Sequence, residues 1–173
     1  MQDSKRMEIL KKAMEIEAAE KGYYEKAAAA AENPIAKKLF ERLAFEEDAH
    51  AKKFRELEAQ LGKSEDWPAG EAPSWEGKEL KLVFAGLKSA SPQDVKVAKS
   101  ELDAIRAAMG RELEAYDMYR ARSEETTSPS EKRFYQVLAG EERLHHLALL
   151  DSFEYLTDPA GWFTVKEKWS LDG

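Results

Sequence analysis

The sequence predicts an all-α fold: a four-helix bundle built from two helical hairpins joined by a long crossover, with a short C-terminal tail. Three observations carry this expectation. The chain repeats itself at an offset of 95 residues, pairing Met14 with Met109, Tyr24 with Tyr119, Pro34 with Pro129, Leu43-Ala44 with Leu138-Ala139, and Glu46 with Glu141. Each copy is interrupted once, at Asn33-Pro34 and at Ser128-Pro129. A capping side chain followed by proline in the first helical turn is how one helix stops and the next begins. Between the copies lies a segment, Gly62 to Ser100, that is too long for a turn and suits a connection running along a bundle.

In chain order, helix A is expected from Lys5 to Glu32 and helix B from Pro34 to Leu61, where Gly62 ends it. The crossover of about 62–100 holds Trp67-Pro68, Pro73, Trp75 and a short amphipathic piece around Leu80 to Leu87. Helix C is placed at Ser100 to Glu125, with Ser100 and Asp103 or Ser91 and Asp94 as alternative caps. Ser128-Pro129-Ser130-Glu131 reads as a capping box that opens helix D. Asp158-Pro159 stops that helix, dividing the chain into a bundle over 1–157 and a tail over 158–173. The tail's Trp162, Phe163 and Trp169 are expected to cover a bundle end or a neighbouring subunit, since aromatic clusters mostly supply burial.

A chain of 173 residues with 43% hydrophobic content is one domain by size. Its net charge of −7, with basic residues scattered, argues against nucleic acid or an anionic membrane as partner. The polar stretch Met1 to Leu10 lacks the apolar core of a signal peptide, and a cytoplasmic protein is expected. The absence of cysteine removes disulfides, thiol nucleophiles and any iron site built on four thiolates. No glycine-rich phosphate loop and no G-x-S-x-G elbow is present, so nucleotide and serine-triad chemistry are poor readings.

The chemistry lies in the repeat. Glu17 precedes Glu47 by 30 residues and His50 follows three later; Glu112, Glu142 and His145 reproduce both intervals. Residues three apart on a helix share a face, so each Glu-x-x-His pair can grip one site. Four carboxylates and two imidazoles around a bundle axis are hard and intermediate donors, suited to iron or manganese. Four facing carboxylates would repel one another in a dry core. Two divalent ions cancel that charge.

These segments resemble the rubrerythrin branch of the ferritin-like superfamily. The resemblance rests on "EAAEKGYY" from Glu17 to Tyr24, "FEEDAH" ending at His50, "ELEAYDMY" from Glu112 to Tyr119, and "GEERLH" ending at His145. It covers both hairpins, whereas the crossover matches only in length. The resemblance implies a ferritin-like four-helix bundle holding two iron ions, with manganese also compatible. Glu47 and Glu142 would bridge the ions, Glu17 and Glu112 would terminate them, and His50 and His145 would bind one each. The implied reaction is reduction of hydrogen peroxide to water. Rubrerythrins carry a rubredoxin-type iron site for electron entry, which a chain without cysteine cannot build. A separate electron donor protein, such as a rubredoxin, is therefore expected, and by analogy a homodimer. The same donors also serve ferroxidases, iron storage or sensing proteins and dioxygen-activating oxygenases.

Beyond the donors, Tyr24 and Tyr119 each lie seven residues after a donor glutamate and can lean back toward the metal layer, or serve as core aromatics. Glu20 shares the face of Glu17 and reads equally as a seventh ligand or a solvated charge. Its counterpart is Ala115, where rubrerythrins place an additional glutamate. Glu46 and Glu141 precede the bridging glutamates by one residue and are expected to face elsewhere, in salt bridges or hydrogen bonds. His146 has no counterpart and is read as structural or surface.

Overall fold

The computed structural model describes residues 2–62, 67 and 95–164. Four long helices make up the bundle: α1 (Gln2–Ala30), α2 (Pro34–Leu61), α3 (Lys99–Glu125) and α4 (Pro129–Thr157). Among the described residues there is no strand. The amphipathic piece around Leu80 to Leu87, the alternative cap Ser91 with Asp94, and Trp169 lie outside the described residues.

The hairpin junctions follow from their caps. Asn33 stands before α2 and its Oδ1 accepts from the backbone N–H of Ile35 and Ala36 at 2.9 and 3.1 Å, with Pro34 in the first turn. Gly62 closes α2 by donating to the carbonyl of Glu58 at 2.9 Å, but with φ −68° it needs no left-handed conformation. Ser128 Oγ accepts from Glu131 N–H at 3.4 Å at the start of α4. The reciprocal half of the expected capping box is missing. Glu131 instead pairs with Arg6 of α1 at 3.3 Å, because a full charge nearby is a better partner than a neutral amide.

Glu101 decides two helix boundaries that the sequence reading placed differently. Its carboxylate accepts from the N–H groups of Glu32 and Asn33 at 2.9 and 2.8 Å and, with its other oxygen, from Ala98 N–H at 2.8 Å. The chain therefore leaves α1 at Ala30, not Glu32, since those amides serve Glu101. The start of α3 is set at Lys99 by the same side chain, and Ser100 lies inside the helix, not at its cap.

This contact also gives the topology. Glu101, near the start of α3, sits at the α1–α2 turn, so α3 begins at the end of the bundle opposite Leu61. Gly62 and Val95 therefore lie at opposite ends of the bundle, about 40 Å apart for helices of this size. α2 and α3 consequently run in the same direction, as do α1 and α4.

Two apolar slabs fill the interior. One holds Tyr24, Leu39, Phe40, Leu43, Ile105 and Leu149; the other holds Leu10, Phe54, Tyr119, Phe134, Tyr135 and Leu138. Along every helix a glutamate or histidine falls between the slabs, forming one polar layer across the bundle. After α4 the chain turns at Asp158 and is helical again over 159–164. Trp162 packs edge-on against Tyr155, with centroids 5.3 Å apart, and its indole N–H donates to Asp151 at 2.9 Å. This covers the first slab at its open end. No helix among the described residues is long and apolar enough to cross a membrane.

Glu101 satisfies three backbone donors that otherwise have no partner at the turn. The Glu101→Ala variant should lose about 2–3 kcal/mol of stability, and Glu101→Gln about half as much. Urea unfolding of the metal-free proteins at one pH checks both; equal stability of all three would show that water replaces the carboxylate.

Candidate metal centre

Each pair of residues three apart projects from one helix face, Glu47 with His50 on α2 and Glu142 with His145 on α4. Glu17 on α1 and Glu112 on α3 enter the same layer from the other side of the bundle. All six are buried, with 0 to 2% of their surface exposed. They form two donor groups: Glu17, Glu47, His50 and Glu142 in one, and Glu47, Glu112, Glu142 and His145 in the other. Glu47 and Glu142 belong to both, the position of carboxylates shared between two ions. Glu17 and Glu112 belong to one each. The imidazole rings lie nearly parallel, 5.5 Å apart at an interplanar angle of 16°.

The donors are crowded and only partly hydrogen-bonded: His50 Nδ1 lies 3.0 Å from Glu17 Oε2 and 3.1 Å from Glu47 Oε2, but the other half of the layer is less well served. His145 Nδ1 lies 2.9 Å from Glu47 Oε1, 3.3 Å from Glu142 Oε2 and 3.4 Å from Glu112 Oε2. Yet His145 Nδ1, Glu47 Oε1 and Glu142 Oε1 are buried without a hydrogen bond of acceptable geometry. Orphaned polar atoms of this kind cost free energy unless something else binds them. They belong to donor groups whose ligand atoms all lie within 4.8 Å of one another, and carboxylates with imidazoles are the donors of iron and manganese. The residues fit a pair of such ions.

Electrostatics shows the same frustration. Burial pushes the Glu17 carboxyl up to about 7, with His50 opposing. Burial and the nearby Glu47 charge hold Glu142 well above its usual value. Burial also acts on Glu47, but the His145 and His50 charges outweigh it and keep that carboxyl low. For His50 and His145 burial is likewise outweighed, here by Glu47 and a terminal glutamate each, so both imidazoles hold protons unusually tightly. Without metal, protons take the place of the missing positive charge.

The tyrosines cross the bundle. Tyr24 of α1 donates its hydroxyl to Glu112 of α3, and Tyr119 of α3 donates to Glu17 of α1. Burial first, then the accepting carboxylate, raises both phenols well above their ordinary value, so the proton stays on oxygen. Each terminal carboxylate is held by the helix that does not carry it.

One surrounding residue, Glu20, departs from the sequence reading. Glu20 is neither in a donor group nor solvated: it is buried and accepts from Arg111 Nε at 2.9 Å, while the Arg111 guanidinium lies over the Tyr23 ring at 4.8 Å. Glu46 and Glu141 were expected to face elsewhere, in salt bridges or hydrogen bonds, and Glu46 does so: Oε1 accepts from Arg42 Nε at 2.7 Å and Oε2 contacts His145 Nε2 at 2.9 Å, which brings it, with Glu141, against the outer edge of a donor imidazole. A helical wheel of α2 alone hides this, because Glu46 reaches a histidine carried by α4. The 95-residue repeat of Glu46 and Glu141 was the available signal. His146 contacts the carbonyl of Met109 at 3.1 Å and takes no part in the centre.

Two predictions follow from this geometry. Replacing either phenol, by Tyr24→Phe or Tyr119→Phe, should weaken metal affinity roughly tenfold, measured by competition with a chelator. The second concerns pH. Glu17 and Glu142 keep extra protons in the folded, metal-free protein, so their contribution is present below the ordinary carboxyl range and is lost as pH rises. The depressed Glu47 works in the opposite sense, but only in strong acid. The melting temperature of metal-free protein should therefore fall between about pH 5 and pH 8, and two equivalents of manganese should remove the slope by displacing the protons. A flat metal-free profile would refute this charge balance.

The family model described as Rubrerythrin matches residues 8–152, spanning both hairpins and all six donors. No curated protein and no solved structure matches the chain significantly. With the family match over most of its length, four long helices packed as two hairpins, and a buried glutamate–histidine layer compatible with a diiron site, the chain belongs to the rubrerythrin family.

Proposed function

We propose that this protein is a non-haem diiron oxidoreductase that reduces hydrogen peroxide to water with electrons from a separate donor protein such as a rubredoxin. The observation that carries the reading is the buried pair of donor groups sharing Glu47 and Glu142. Family membership supports it. Reduction of one peroxide to two waters consumes two electrons and two protons. A bound ferrous pair supplies the two electrons at one site, one from each ion.

The chain's own residues hold the site and handle protons. Glu47 and Glu142 would hold both ions, and Glu17 with His50 and Glu112 with His145 would complete one each. Tyr119 and Tyr24 keep the terminal carboxylates in place through hydroxyl donors that burial prevents from ionising. Glu20 is the proton entry on the α1–α3 face. Its carboxyl is raised by burial, with Arg111 opposing, and its partner Arg111 reaches water. The apolar slabs on either side exclude bulk water from the layer. A separate electron donor is in keeping with these 173 residues, which hold no cysteine with which to build a thiolate iron site.

Protein loaded anaerobically with two ferrous ions per chain and mixed with peroxide in a stopped-flow instrument should oxidise rapidly, and at least tenfold faster than with dioxygen. Faster oxidation by dioxygen, or uptake of many irons per chain, would favour an oxygenase, ferroxidase or storage role instead.

A further inference from the structure

The outward face of α4 carries a stripe that the bundle itself does not use. At about 100° per residue, seven positions of α4 point within about 40° of Gly140. Leu144 and Leu147 stand beside Gly140 in the middle of the stripe, Arg133 and Gln136 at one end, and Asp151 and Glu154 at the other. The two leucines are 41 and 45% exposed. Leu113 of α3, 44% exposed, widens this apolar centre. It follows by seven residues Arg106, whose guanidinium lies over the Phe153 ring at 5.0 Å, and by four Met109, whose carbonyl contacts His146. Leu113 therefore stands on the α4 side of α3, level with Leu144. Single exposed leucines are ordinary, but three gathered around one glycine make a patch. Glycine inside a helix is itself costly. A Cβ added at Gly140 would meet nothing within 4 Å, so no contact inside the chain explains its absence. The equivalent stripe on α2, from Lys38 to Ala59, has Phe45, Ala49 and Lys52 at its centre, and the apolar middle thus belongs to one hairpin only.

We propose that this stripe is the interface of a homodimer, in which a second copy of the chain packs its α4 antiparallel to the first across a two-fold axis passing between Arg143 and Leu144. A two-fold axis sets a patch against itself in reverse order. Centred there, it places Leu147 over Gly140 of the second copy, where the missing side chain leaves room and lets the two backbones approach closely. The same operation brings Arg133 level with Glu154 of the second copy, and Gln136 level with Asp151. Arg133 and Glu154 are exposed, and neither makes an ion pair with another described residue, so each end of the stripe has a charge to offer. Leu144 meets its own counterpart at the axis, flanked by Leu113. A parallel arrangement fails on both counts: it sets Arg133 against Arg133 and Glu154 against Glu154, and it leaves the space over Gly140 empty. The antiparallel seam runs about 32 Å from Arg133 to Glu154, with leucines at its centre and charges at its ends, the layout of a specific interface. Nothing in this pairing depends on the reaction proposed above.

Sedimentation equilibrium of the full chain from about 0.1 to 100 μM tests it, a range that brackets the affinity of a modest interface. The wild type should behave as a reversible dimer. Arg133→Glu should weaken the dimer about tenfold, since two like-charge contacts replace two ion pairs. Combining it with Glu154→Arg restores opposite charges across the axis and should return the affinity to within about twofold of wild type. Gly140→Leu should weaken the dimer at least about a hundredfold by filling the space that Leu147 needs. At a concentration where both proteins are monomeric, however, the same variant should melt about 2 °C higher than wild type, because leucine favours the helix and its Cβ meets no neighbour. General damage to the bundle would lower affinity and melting temperature together, so opposite signs identify the interface. A wild type that is monomeric throughout overturns the proposal, and is the outcome expected if the rest of this chain or an unrelated protein covers the stripe. A dimer indifferent to Gly140→Leu, or one that the double charge exchange does not restore, also overturns it. If Gly140→Leu fails to fold, the charge exchange decides: restoration supports the pairing and its failure overturns it.

Discussion

The architecture depends on one constraint, the burial of four carboxylates and two imidazoles in a single layer between apolar slabs. In this arrangement the six groups do not satisfy one another, as the orphaned atoms of Glu47, Glu142 and His145 show. Burying unpaired charge is among the most costly things a fold can do. The surrounding structure can be understood as holding this layer together until cations arrive. Tyrosines restrain the terminal glutamates, Glu46 restrains His145, and Arg111 neutralises Glu20. The apolar slabs above and below keep water from relieving the frustration more cheaply.

Correct registration of the layer requires the two hairpins to meet at one height. Within each hairpin, a short junction with a side-chain cap and a proline sets the height. Between hairpins, Glu101 does so by fastening the first turn of α3 to the α1–α2 turn. Glu101 and the Arg6–Glu131 pair act at opposite ends of the bundle, and the metal layer lies between them. The crossover supplies connectivity, whereas these contacts supply alignment.

Much of this was legible in the sequence. The 95-residue repeat, read with helical geometry, located four helices, and the α2 bounds agree with the proline and glycine that announce them. The six donors were identified as a set from two intervals, and the structure brings that set together. What could not be seen were contacts between helices that no single-helix pattern encodes. Glu46 points away from Glu47 on its own helix, and only the packing of α4 brings His145 to it. Glu20 looked like a ligand or a free charge because its partner, Arg111, lies 91 positions away in the chain. The α3 start was misjudged for a related reason: the side chain that sets it, Glu101, also serves amides from the other hairpin.

The halves match at the donors and differ beside them. Glu20 with Arg111 occupies one quadrant of the layer, and the equivalent positions in the other quadrant hold Ala115 and Ile16. A lone hairpin pairing with its own twin could reproduce the donors, but every neighbouring feature would then appear twice. Fusing the twins into one polypeptide lifts that restriction. One quadrant can carry a charged gateway while the other stays plain, so the two ion positions need not be chemically alike.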